Sequence, residues 1–121
     1  MSMLIFKIVH RPEWQAARAA GAYAGSPKDR SDGFLHFSTA DQLMGTLQKW
    51  YAEAHDLVLV AVAAAGLGPA LKWEPSRDGA LFPHLYAPLP MAAVRWVGEI
   101  RRDPNGAFLL PPEFDSTPSA S

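Results

Sequence analysis

Leu57-Val58-Leu59-Val60-Ala61-Val62-Ala63 is an unbroken apolar run with valine at every second place. Seven residues is a strand's length, and a strand apolar on both faces belongs in the middle of a covered sheet. This run predicts the central strand. Its apolar continuation to Leu67, interrupted only by Gly66, reaches about half a membrane span. Upstream, Met3 to Val9 alternates Leu4, Phe6 and Ile8 with Ile5, Lys7 and Val9, which predicts a first strand. Pro12 then suits a first helical position, Trp14, Ala17 and Arg18 recur at helical spacing, and Gly21 suits a helix end. Residues 22–33 read as a polar loop around Gly25-Ser26-Pro27 and Lys28-Asp29-Arg30-Ser31-Asp32, long enough to cover something. Phe34 to Phe37 is a short β-prone segment. Thr39 with Gln42 three residues on is a capping box for a helix whose Leu43, Leu47, Trp50 and Tyr51 form an apolar stripe.

Downstream, Ala64 to Pro69 turns on two glycines and a proline. Ala70 to Glu74 and Leu81 to Tyr86 then read as two strands, with Pro83 pushing the second toward an edge or a bulge. Pro88-Leu89-Pro90 makes a corner into Ala93 to Ile100, where Val94, Trp96 and Ile100 are expected on one face. Asp103-Pro104-Asn105-Gly106 predicts a turn and Ala107 to Leu110 a hairpin partner. Residues 3–110 are expected as one domain and residues 111–121, rich in Pro, Ser and Thr, as a poorly ordered flexible tail.

The composition agrees with a single core: 121 residues, 49% of them hydrophobic. Eleven Lys and Arg balance twelve Asp and Glu, a net charge of -1. That excludes the strongly basic field of a protein living on nucleic acid or anionic membrane. The absence of cysteine removes disulfides, thiol nucleophiles and Cys-based zinc sites, and suits a reducing compartment. Met1-Ser2-Met3-Leu4 lacks a basic region leading into a long apolar core, so the expectation is a cytoplasmic protein.

His10, His36, His55 and His84 are too far apart in sequence for a zincin or finger motif. His10 and His55 sit at element ends and read as solvated. His36 and His84 are flanked by apolar side chains in strand-like segments, where an imidazole needs a partner, either backbone in an ordinary core or a ligand in a site. On a period of two, His36 shares a face with Ser38, and His84 with Tyr86. Trp73-Glu74 places an aromatic surface beside a carboxylate at the end of a β-prone run. Glu99 is a further candidate carboxylate. Phosphate loops, dinucleotide glycine fingerprints and nucleophile elbows are absent.

Three strings carry a resemblance: Gly33-Phe34-Leu35-His36-Phe37-Ser38-Thr39, Leu71-Lys72-Trp73-Glu74, and Leu81-Phe82-Pro83-His84-Leu85-Tyr86-Ala87-Pro88-Leu89-Pro90. With Trp14, the Gly21 and Tyr23 pair, and Trp50-Tyr51, they make the chain similar to the DUF952 family of small bacterial proteins of unassigned function, over most of Met3 to Ile100. The resemblance implies an ADP-ribosyltransferase-like fold: α+β, a small, mixed, split and twisted β-sheet with two main helices and a cleft able to take NAD. It implies His36 as the early-strand histidine on a ribose, Ser38 as its neighbouring hydroxyl, and Trp73 or Tyr86 as the nicotinamide platform. The carboxylate that stabilises the developing sugar cation falls to Glu74 or to Glu99. No unambiguous His-Tyr-Glu triad can be written.

Three readings follow. One is an enzyme or former enzyme binding NAD or a related nucleotide through His36, Ser38, Trp73 and Tyr86, with Glu74, His36 and His84 as catalytic candidates. The second is a non-catalytic module binding a small molecule or a protein in the same pocket. The third is a hydrolase with His36, His84 and Glu74 on one metal ion. An edge near Pro83 or the hairpin near Phe108 is where another chain would pair.

Overall fold

The computed structural model describes residues 3–76 and 79–115. In chain order the elements are β1 (Leu4–His10), α1 (Arg11–Ala20), β2 (Ala22–Tyr23), α2 (Pro27–Asp32), β3 (Leu35–His36), α3 (Ala40–Trp50) and β4 (Leu57–Ala63). They continue as β5 (Leu71–Pro75), β6 (Leu81–Leu85), β7 (Leu89–Pro90), β8 (Val94–Arg102), β9 (Phe108–Leu109) and α4 (Pro112–Asp115). One sheet has the order β1-β4-β8-β9, a second β3-β6-β5, and β2 with β7 forms a ribbon. The class is α+β. Where a mixed sheet was expected, every strand pairing among the described residues is antiparallel.

β4 is buried at all seven positions and divides the core. Val58, Val60 and Val62 pack with Ile5, Val9, Trp14, Tyr23, Leu35 and Leu85. Leu57, Leu59 and Ala61 pack on the other side with Phe6, Ile8, Leu43, Leu47 and Ile100. The two-residue period of the strand sends alternate side chains to opposite layers, each contributing about 1.5–3 kcal/mol when fully buried and large. α1 covers the first layer and α3 the second. Pro at its start and left-handed Gly21 at its end bound α1. The Thr39 and Gln42 capping box starts α3.

The backbones of the two sheets are bridged by the reciprocal bonds between Phe6 and Ser38, each 2.8 Å. β1 otherwise runs with β4 and β3 with β6, so the strands part on either side of this bridge. The split opens a cleft there.

Five expectations are corrected. Residues 22–33 are not a loop: they hold β2 and the six-residue helix α2, which starts on a Ser26 and Asp29 capping box and stops at Gly33, φ 88°. Trp50 leaves the apolar stripe of α3 and stands 57% exposed. Pro83 lies in the middle strand of β3-β6-β5. Its carbonyl accepts from the Phe37 N–H at 3.0 Å, and the donor it lacks falls where β3 has already ended. Val94 packs with the first layer while Trp96 and Ile100 pack with the second, because the register of β8 on β4 shifts between Ala61 and Val62 and one extra residue reverses the face. Lastly, Pro111 is buried and Phe114 sets its ring edge-on against Phe6, 5.2 Å between centroids, so 111–115 belong to the packed domain. A Cβ on Gly98 would lie 2.4 Å from Pro111 Cβ, which is why that crossing needs glycine. Residues 116–121 of the expected tail lie outside the described residues.

Candidate functional site

The cleft at the split holds about 90 Å³ and is lined by His36, Ser38, Thr46, Ser76, His84 and Asp29, with Lys28 and Trp50 also on its wall. That is room for one small polar group rather than a whole dinucleotide.

Its floor is a buried charge network built on Asp29. The Oδ2 atom meets Lys7 Nζ at 2.8 Å and the Ser26 N–H at 2.9 Å. The Oδ1 atom meets His36 Nδ1 at 2.6 Å and the His36 N–H at 3.1 Å. Lys7 also donates to the His36 carbonyl at 2.9 Å. Burial opposes ionisation of Asp29, yet the bond from His36, the Lys7 charge and the Ser26 N–H together hold its carboxyl well below the usual range. Burial lowers the Lys7 amine, and Asp29 resists that. The second His36 nitrogen, Nε2, is 2.9 Å from Asp32 Oδ2. Both ring nitrogens of His36 are therefore taken up by carboxylates of α2, a bond set that docks this polar helix on β3.

His84 faces His36 directly across the ladder, ring centroids 5.6 Å apart, and is held differently. Its Nδ1 is 2.8 Å from Glu74 Oε1, which also accepts from the Tyr86 hydroxyl at 2.7 Å. These two bonds hold the Glu74 carboxyl below its ordinary value, and the same carboxylate pushes the Tyr86 phenol up. Phe34 stacks on the imidazole, centroids 4.1 Å apart, fixing its plane. The Glu74 carboxylate can only accept, so Nδ1 is the donor and Nε2 carries the lone pair of the neutral ring, on a residue that lines the cleft. Among the described residues Nε2 has no hydrogen-bond partner. Ser38 Oγ and Thr46 Oγ1, 3.1 Å apart, add hydroxyls to the same wall.

Of the residues singled out from sequence, His36, Ser38 and His84 line the cleft, and Glu74 and Tyr86 stand behind His84. Trp73 does not join them: it pairs with Pro83 while Lys72 and Glu74 pair with His84 and Phe82, so it lies on the opposite face of β5. Glu99 lies on β8 opposite Val58, 59% exposed, with its carboxylate 3.0 Å from Arg11 Nη2. Among the described residues no three His, Asp or Glu side chains are placed to hold a metal ion, and His36 has no nitrogen to spare for one. Lys7, Asp29, Asp32, Phe34 and Thr46 were missed. Two signals for them existed: a charge in the middle of an otherwise apolar strand, and the Ser26-x-x-Asp29 capping spacing.

An α+β domain with a split antiparallel sheet and a histidine-walled cleft at the split is the class that fold and site define. The chain belongs to the DUF952 family of proteins of unknown function, whose model matches residues 8–97. It is similar to protein CC0527 from Caulobacter crescentus. With that protein's crystal structure it shares 45% identity at a TM-score of 0.86, covering 93% of this chain and 98% of the other. The solution NMR structure of the same protein matches at 45% identity and a TM-score of 0.77, over 94% and 96% of the two chains. No functionally curated protein matches it.

Proposed function

We propose that this protein is a small-molecule-binding domain whose cleft takes a hydroxylated group of a ribose's size, as carried by NAD or a related ribosylated nucleotide. The observation that carries the reading is His84: Glu74 holds Nδ1 and leaves Nε2 as an acceptor facing the cleft beside the Ser38 and Thr46 hydroxyls. An acceptor and two hydroxyls on one wall match the paired hydroxyls of a sugar. The cavity fits the sugar alone, and the rest of a nucleotide would lie outward along Trp50, whose ring has the Lys28 ammonium 4.9 Å from its centroid. An ADP-ribosyltransferase-like arrangement goes with this reading, since the cleft lies at the split and a histidine sits on the short strand beside it. Transfer chemistry has less support, because neither Glu74 nor Glu99 lines the cleft. The non-catalytic binding reading is the one the geometry favours. We place the protein in the cytoplasm, in keeping with its lack of cysteine.

The test is a ligand-observed NMR titration with NAD and with ADP-ribose, on wild type and His84→Ala, followed for hours for free nicotinamide. Ribose resonances should broaden with wild type and not with the variant, and nicotinamide should not accumulate. No binding at millimolar nucleotide overturns the ligand class. Accumulating nicotinamide overturns the non-catalytic reading and makes Glu74 and Glu99 the next substitutions.

A further inference from the structure

We infer that the free edge of β5 pairs antiparallel with β5 of a second copy of this chain, about a two-fold axis at Trp73. β5 is the outer strand of β3-β6-β5, and Trp73, 39% exposed, is a large apolar side chain that the cleft does not use. The backbone fixes the register. The Tyr86 N–H donates to the Ala70 carbonyl and the Ser76 N–H to the Ala80 carbonyl, each 2.9 Å. By the two-residue alternation of an antiparallel ladder, Lys72 and Glu74 bond inward to β6, while Leu71, Trp73 and Pro75 turn their backbone groups outward. Pro83, opposite Trp73, agrees: its carbonyl is turned away from β5, to the Phe37 N–H. Of the outward three, Leu71 already gives its N–H to the Gly68 carbonyl, and Pro75 has none. Trp73 alone offers both a donor and an acceptor. One such residue admits one symmetric pairing, Trp73 against Trp73 of the copy, with two N–H to C=O bonds across the axis.

The side chains of Leu71-Lys72-Trp73-Glu74-Pro75 suit that register. Lys72 faces Glu74 of the copy, and Glu74 faces Lys72 of the copy, an opposite-charge cross-strand pair made twice. The hydrogen bonds of Glu74 to His84 and Tyr86 both use Oε1, which leaves Oε2 for the incoming ammonium. The second copy thus adds a cation behind the carboxylate that orients His84. On the other face, Trp73, 39% exposed, meets Trp73 of the copy across the axis, and Pro75 faces Leu71 of the copy on either side of it, so that a small apolar patch is buried. Two backbone bonds, two ion pairs and a small apolar patch make a weak, concentration-dependent dimer rather than an obligate one.

Sedimentation equilibrium of the full chain from micromolar to millimolar concentration tests this. Wild type should show a monomer–dimer equilibrium. Lys72→Glu sets like charges opposite each other twice and should weaken it roughly tenfold or more. Glu74→Lys should do the same, and the double swap Lys72→Glu with Glu74→Lys should restore it. Trp73→Lys should be monomeric throughout, with circular dichroism confirming that it folds. A wild type that stays monomeric at millimolar concentration overturns the proposal, as does a folded Trp73→Lys that dimerises like wild type or a double swap that fails to recover.

Discussion

His36 and His84 are paired residues on neighbouring strands, each with a carboxylate at Nδ1, and they do opposite things. Asp29 is itself buried, carries Lys7 as well, and leaves the second nitrogen of His36 to Asp32. Glu74 is partly exposed and leaves the second nitrogen of His84 open. The first set is a clasp that docks α2 on the sheet. The second is an oriented ring with one nitrogen that has no partner among the described residues. A histidine's neighbours in sequence do not distinguish the two; the number of ring nitrogens already engaged does.

The clasp should dominate stability. Asp29→Ala leaves the buried Lys7 ammonium without its counter-charge and is expected to cost about 3–5 kcal/mol in urea unfolding. Lys7→Ala leaves Asp29 its bonds from His36 and Ser26 and should cost less than that, but more than His84→Ala. His84→Ala loses one bond to a partly solvated carboxylate and should cost only about 1 kcal/mol beyond its packing. Replacing Lys7 and Asp29 together by Met and Leu should not recover the loss, because the Ser26 and His36 N–H groups and His36 Nδ1 then lose their acceptor as well. Equal losses for Lys7→Ala and His84→Ala would end the division between the clasp and the open ring.

Acid separates the same two regions. Asp29 keeps its charge in the folded protein well below the ordinary 3.8, although burial opposes it, because His36 and Lys7 bond to it. In that window the unfolded chain binds the extra proton, so stability rises with pH through it and is lost as pH falls below about 4. Urea midpoints measured at falling pH should drop steeply for wild type and less steeply for Asp29→Asn. Parallel curves would remove Asp29 as the cause.

Much of this frame is legible in the chain and some is not. β4 announces itself because both its faces are covered, and the Thr39 capping box marks α3 by local chemistry alone. α2 is hidden because Pro27-Lys28-Asp29-Arg30-Ser31-Asp32 has no apolar stripe; what holds it is a bond set from His36, just after it, and from Lys7, 22 residues before Asp29, and no periodicity registers either. The face of Val94 is lost to one bulged residue, which no period-two reading registers. Trp73 and Glu74 looked like one site because they are neighbours, but strand neighbours point apart, a rule available from the sequence. Glu74 itself was within reach, since His84 and Tyr86 share its face.

The open nitrogen sets the next effect. Glu74→Gln keeps an acceptor for Nδ1 but removes the charge, so nucleotide affinity should fall, and by less than for His84→Ala. Imidazole nitrogen NMR should find Nε2 as the unprotonated nitrogen of neutral His84 in both proteins. A wild-type ring carrying its proton on Nε2 would break the claim that Glu74 presents an acceptor.

The smallest effect belongs to the other candidate carboxylate. Glu99 is more than half exposed and reaches Arg11, which also holds Asp56 at 2.6 Å. Removing its charge leaves Arg11 with a partner and leaves no buried group unpaired. Glu99→Gln should therefore cost no more than about 1 kcal/mol in stability. Nucleotide titrations of this variant should overlay those of wild type, because no part of Glu99 lines the cleft. A loss of binding at Glu99→Gln comparable to that at His84→Ala would mean that the ligand reaches across the first sheet to β8. The cleft at the split would then be the wrong site, and the contrast between the two histidines would describe the packing of the domain alone.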